Sequence, residues 1–120
     1  MSPMNLGVDH IHFVVRSLDE AIRFCKSIGL EFTEYTEHGG KSCMMRAPGD
    51  NVLIELQEAR NIDNPGLNHI AFLVDDLDTL CDELVEQGME VDGPLDNPKT
   101  GRRLATVRDP HGFLWQLVQK

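Results

Sequence analysis

The feature that most constrains this chain is an internal repeat. Residues 7–21, GVDHIHFVVRSLDEA, return as GLNHIAFLVDDLDTL at residues 66–80. Gly7 and Gly66, His10 and His69, Ile11 and Ile70, Phe13 and Phe72, Val15 and Val74, Leu18 and Leu77, and Asp19 and Asp78 are identical pairs, each 59 residues apart. An offset of about half the 120-residue chain predicts two copies of one supersecondary unit, packed as a single domain over residues 1–120. The copies run from 8 to 58 and from 67 to 119, joined by the turn-rich ARNIDNPG at 59–66.

Each copy opens with a run rich in strand formers, VDHIHFVV and LNHIAFLV. A helix start follows. Ser17 and Glu20 have capping-box spacing, and Asp76 holds the matching place in the second copy. Leu18, Ala21, Ile22, Cys25 and Ile28 then form an apolar stripe at helical spacing, as do Leu77, Leu80, Cys81 and Leu84. Gly29 and Gly88 stand at helix-stop positions. Three further strands are predicted in each half: LEFTEYTE, KSCMMRA and NVLIELQE, then MEVD, RRLATVR and FLWQLVQ, the MEVD signal being weak. The pattern is βαβββ twice, an α+β chain.

Alternation along the strands separates two faces. Ile11, Phe13 and Val15 should pack on the helix, leaving His10, His12 and Val14 on the other side. Ile70, Phe72 and Val74 stand likewise against His69, Ala71 and Leu73. In the closing strands, Glu55 and Gln116 are polar positions among apolar neighbours, on the side of the histidines. The turns containing Pro48 and Pro110 support aligning the two closing strands. Two histidines, a carboxylate and an amide related by the repeat form a candidate ligand set for zinc, nickel, cobalt or ferrous iron. The competing reading is four separate polar residues on a partly solvated sheet.

Composition narrows the partners. Hydrophobic residues make up 41% and charged residues 26%, ordinary for a globular chain with a real core. A net charge of −9 argues against nucleic acid and anionic membrane surfaces. No apolar run is long enough to span a bilayer, and MSPMNLG does not read as a secretory signal. Three cysteines without metal-like spacing read as reduced thiols in a cytoplasmic protein, with Cys25 and Cys81 as packing residues.

The segments DHIHFVVRSLDEAIRFCKSIGLEF, LNHIAFLVDDLDTLCDELVEQG and RDPHGFLWQLV resemble the vicinal oxygen chelate superfamily, also called the glyoxalase/bleomycin-resistance/dioxygenase superfamily. The resemblance covers nearly the whole chain. It implies paired βαβββ modules forming one curved mixed sheet around a cavity, with the helices on its outer face. It also implies a divalent ion (Zn, Ni, Co, Mn or Fe(II)) held by residues of the first and last strands. Those positions map onto His10, Glu55, His69 and Gln116. Many members carry glutamate where Gln116 stands, as ligand or catalytic base. An amide cannot take a proton at neutral pH, so that role falls to Glu55 in the first module.

The ligand pattern is closest to glyoxalase I or methylmalonyl-CoA epimerase. The expected chemistry is a lyase or isomerase that moves a proton on carbon next to a carbonyl, with Glu55 as catalytic base. The alternatives are a non-haem iron dioxygenase using His10, His69 and Glu55, or a metal-free binding and drug-resistance protein of the same fold. The expected substrate is a small molecule, with a thiol or coenzyme A adduct in view. His12, Arg46 and Arg103 are candidate substrate-binding or ligand-supporting residues, and Lys41, Arg102 and Arg108 are further cationic anchors. Short modules leave sheet edges that need cover, so a homodimer is expected.

Overall fold

A computed structural model describes residues 3–120, a mixed α+β chain of eight strands and two helices. It resolves into two compact units. One holds His10–Asn68, and the other holds His69–Lys120 together with residues 3–9.

The first unit comprises most of β1 (Asn5–Val15), α1 (Leu18–Ser27), β2 (Glu31–Thr36), β3 (Ser42–Arg46) and β4 (Leu53–Glu58). Its strand order is β2-β3-β4-β1. The β2–β3 and β3–β4 pairs are antiparallel, whereas β1 and β4 run parallel. The Ser17 hydroxyl accepts from Glu20 N, and the first free amide of the helix, Leu18 N, is met at 2.9 Å by Glu58 Oε2 from the far end of β4. The stripe on α1 buries Leu18, Ile22 and Cys25 against Cys43, Met45 and Leu56.

The second unit repeats this plan with most of β5 (Gly66–Val74), α2 (Leu77–Glu86), β6 (Glu90–Asp96), β7 (Arg103–Arg108) and β8 (Leu114–Gln119), in the order β5-β8-β7-β6. Asp76 caps α2 through Thr79 N, and Gln119 Oε1 accepts from Leu77 N at 2.7 Å, in the place of Glu58. The weak MEVD signal becomes a seven-residue strand with a bulge between Asp92 and Leu95. Gly93 is required there: a Cβ would lie 3.0 Å from Leu104 O, and its φ is +111°.

The repeat is one of backbone register more than of side-chain packing. Phe72 stacks on Trp115, with ring centroids 6.0 Å apart. The first unit has Ile54 at the tryptophan's position, and Phe13, expected in the core, stays 36% exposed. The partner differs: Phe72 has the Trp115 ring to stack on, and the first unit has no aromatic residue at that position. Among the described residues, no helix is long and apolar enough to cross a membrane.

Cys25, Cys43 and Cys81 are free and buried. Burial pushes the Cys43 thiol up to about 11, helped by the nearby Cys25 and Glu55 charges, and burial also raises Cys25 and Cys81. A raised pKa keeps the thiol protonated and unreactive through neutral pH. The native protein at pH 8 is therefore expected to resist a thiol-alkylating reagent, with all three cysteines labelled only after denaturant is added. Rapid native labelling of Cys43, read by mass spectrometry, would contradict this.

Candidate active site

The register of the first unit builds a polar face opposite α1. Neighbouring residues across β3, β4 and β1 form three rows: Arg46, Leu53 and His10; then Met44, Glu55 and His12; then Ser42, Gln57 and Val14. His12, rather than His10, is the direct cross-strand partner of Glu55. His10 stands one row away on the same face. Four polar side chains are buried in the chain's described residues: His12, Ser42, Glu55 and Gln57, all of this face.

A buried polar group is costly unless hydrogen-bonded, and here the bonds form a connected set. Glu55 Oε2 lies 2.9 Å from His38 Nδ1. Gln57 Nε2 donates to Gly39 O at 3.1 Å and to Asp63 Oδ2 at 3.3 Å. That fixes the amide's orientation, so Gln57 Oε1 must accept from His12 Nε2, 3.1 Å away. Burial lowers the His12 pKa most strongly, against the raising influence of Glu55 and Gln57, while His10 and His38 lower it further. His12 is accordingly neutral at neutral pH, with its hydrogen on Nε2 and its lone pair on Nδ1.

The second unit has the corresponding rows Arg108, Leu114 and His69, and Thr106, Gln116 and Ala71. Gln116 thus holds the place of Glu55, and Ala71 that of His12. On β6, Glu90 pairs with Arg108 and Asp92 with Thr106. These four residues, with Val91 and Leu114, line a cavity of about 380 Å³. Arg108 Nη1 donates to Gly112 O at 2.8 Å.

The cationic candidates separate by face. Arg46 lies on the polar face, its Nη2 donating to both carboxylate oxygens of Glu31 at 3.0 and 3.1 Å and its Nη1 to Asn51 Oδ1. Arg103 does not lie on the face of Gln116. It shares the α2 side of β7 with Ala105 and Val107, which pack into the core, and it grips Asp78 of α2 at 2.6 Å and Asp96 at 3.2 Å. Those two carboxylates raise its pKa further and make it a tie between helix and sheet. Arg102 is held by Asp9 at 2.8 and 2.9 Å, and Lys41 lies 3.8 Å from Glu58. His38 was not singled out by the sequence, because in HGG it reads only as part of a turn. Gln57 shares a strand face with Glu55, but nothing in the sequence marks its bridging role.

Residues 7–117 match the profile of the Glyoxalase/Bleomycin resistance protein/Dioxygenase superfamily. The chain belongs to that superfamily. Solved structures with the superfamily fold include methylmalonyl-CoA epimerase from Mycobacterium tuberculosis, at 23% identity and TM-score 0.81, covering 99% of this chain and 91% of that one. A hypothetical protein from Bacillus halodurans C-125 is 20% identical with TM-score 0.76, covering 100% of this chain and 96% of that one. A methylmalonyl-CoA epimerase in complex with methylmalonyl-CoA and NH4+ is 24% identical with TM-score 0.73, covering 98% and 96%. No curated protein matches the chain.

Many members of the superfamily bind a divalent ion, and the donor chemistry here suits one. His10 and Glu55 share the polar face of the first unit; His69 and Gln116 share that of the second. Each unit thus carries two of the four proposed donors on one face. Among the described residues, no group of three His, Cys, Asp or Glu side chains is gathered to hold an ion.

Proposed function

We propose that the chain is a metal-dependent isomerase or epimerase of the superfamily, acting on the carbon next to the carbonyl of a thioester or thiol adduct. The observation that carries this reading is Glu55: a residue only 7% exposed, on a sheet face with two histidines, one of its carboxylate oxygens engaged by His38. Carboxylates this deeply buried are rare in folded chains. His10, Glu55, His69 and Gln116 are the proposed donors, supplied by one chain or by two copies in a homodimer. An ion so held supplies Lewis acidity toward the oxygens of a carbonyl substrate.

The protein's own residues do the rest. Glu55 takes the proton from carbon and returns it. Gln116, in the equivalent place, orients without exchanging protons. Neutral His12 buttresses the row beside Glu55 and adds no positive charge there. Arg46 and Arg108, on the polar faces, are the candidate anchors for an anionic substrate. The solved methylmalonyl-CoA epimerase that carries methylmalonyl-CoA makes coenzyme A thioesters the first class to try.

The test is proton exchange in heavy water, followed by NMR, on metal-reconstituted protein. Methylmalonyl-CoA and the glutathione hemithioacetal of methylglyoxal are the two substrates. Deuterium entering the carbon next to the carbonyl of either supports the proposal. Oxygen consumption with a catechol and no exchange would move the chain to the dioxygenase reading. Tight binding without turnover or metal would move it to the binding-protein reading.

A further inference from the structure

We propose that His38 is a positioning residue for Glu55, delivered by a hairpin that is built to hold it there. The inference rests on the proton-transfer reading of Glu55. Residues 37–41 connect β2 to β3, and three separate contacts fix this turn. His38 N donates to the buried Ser42 Oγ at 2.9 Å, and that hydroxyl also bonds Thr36 Oγ1. Gly39 O accepts from buried Gln57. Gly39 adopts φ +73°, and a Cβ there would meet the Gln57 amide at 3.0 Å, so a larger residue would have to displace that bonded side chain. The consequence is that His38, on an otherwise exposed turn, reaches over the polar face and meets Glu55 Oε2 at 2.9 Å. Its side chain is 45% exposed while that of Glu55 is 10% exposed.

An ionised carboxylate offers only acceptors, so His38 Nδ1 carries the hydrogen and donates. The bond restrains rotation of the carboxylate about its last torsion, which is otherwise broad. With Oε2 held by His38, Oε1 is the oxygen left to face the polar surface. Of its other strand neighbours, Leu53 and Met44 are apolar, and the Gln57 amide is committed to His12, Gly39 and Asp63. The role needs a donor at the Nδ1 position, not an imidazole that changes charge. Asparagine places its amide nitrogen at nearly the same point.

The experiment compares His38→Ala and His38→Asn with wild type, using two readouts. In the apo protein, labelled with 13C at glutamate carboxyls and assigned through Glu55→Gln, the Glu55 signal should shift in His38→Ala and return toward wild type in His38→Asn. In the metal-reconstituted protein, His38→Ala should lower kcat for proton exchange roughly 10–100-fold with KM little changed, and His38→Asn should recover most of it. An unmoved Glu55 signal in His38→Ala overturns the inference, as does a His38→Asn variant as impaired as His38→Ala. The spectroscopic arm needs neither substrate nor metal. A shifted and rescued Glu55 signal in a protein whose wild type exchanges no proton would overturn the proton-transfer reading, and the catalytic consequence with it, leaving the contact itself established.

Discussion

Replacing Glu55 with glutamine is expected to cut proton exchange by roughly two to four orders of magnitude while leaving much of the metal in place. Glutamine keeps the shape of the side chain, and its amide oxygen can still accept from His38 Nδ1 and donate a lone pair to an ion. What it loses is the ability to take a proton. Gln116 is already an amide, so the position equivalent to Glu55 offers no carboxylate to take over; the carboxylate of that row, Asp92, stands two strands away from it, on β6. Metal content and deuterium incorporation should be measured on the same sample, because a loss of both would indicate a ligand role alone. Full activity in Glu55→Gln with metal bound would place the base elsewhere. His12 then comes next: it is the cross-strand neighbour of Glu55, and burial keeps it neutral with a lone pair on Nδ1.

The second large effect concerns the ion. The double change His10→Ala, His69→Ala is expected to abolish stoichiometric binding of a divalent metal while leaving the chain folded. Imidazole is the strongest neutral donor in the proposed set, and the double change leaves one carboxylate and one amide, a weak pair for zinc-like ions. Neither histidine belongs to the buried apolar clusters, so the fold should survive. Elemental analysis of protein purified without chelator gives metal content, and circular dichroism gives the fold. One equivalent of metal retained by the folded double mutant would refute the ligand assignment.

Much of the architecture follows from local chemistry that a sequence displays openly. The 59-residue offset announces two copies, and the strand and helix periods inside each copy predict β1 to β4 and β5 to β8 in order. The helix boundaries rest on Ser17, Asp76 and the glycines after each helix. The face of Glu55 follows from alternation within β4. Gln116 appears as its counterpart because both closing strands run from similar turns. All of these are periodic or nearest-neighbour effects, and they need no knowledge of what lies across the sheet.

Only the tertiary structure decided the partners, because hydrogen-bonded register and loop closure join residues far apart in the chain. The parallel pairing of β1 with β4 sets His12, not His10, beside Glu55. Phe13 stays 36% exposed, where a strand pattern alone placed it in the core, because the first unit has Ile54 where Trp115 meets Phe72 in the second. Alternation along β7 turns Arg103 toward α2 and Asp78, and keeps Thr106 and Arg108 on the face of Gln116. His38 shows the principle most plainly. Its sequence neighbourhood is a glycine turn, and a turn's own residues do not state what it folds over. The contact with Glu55 exists because Gln57 and Ser42, on two neighbouring strands, hold that turn against the sheet.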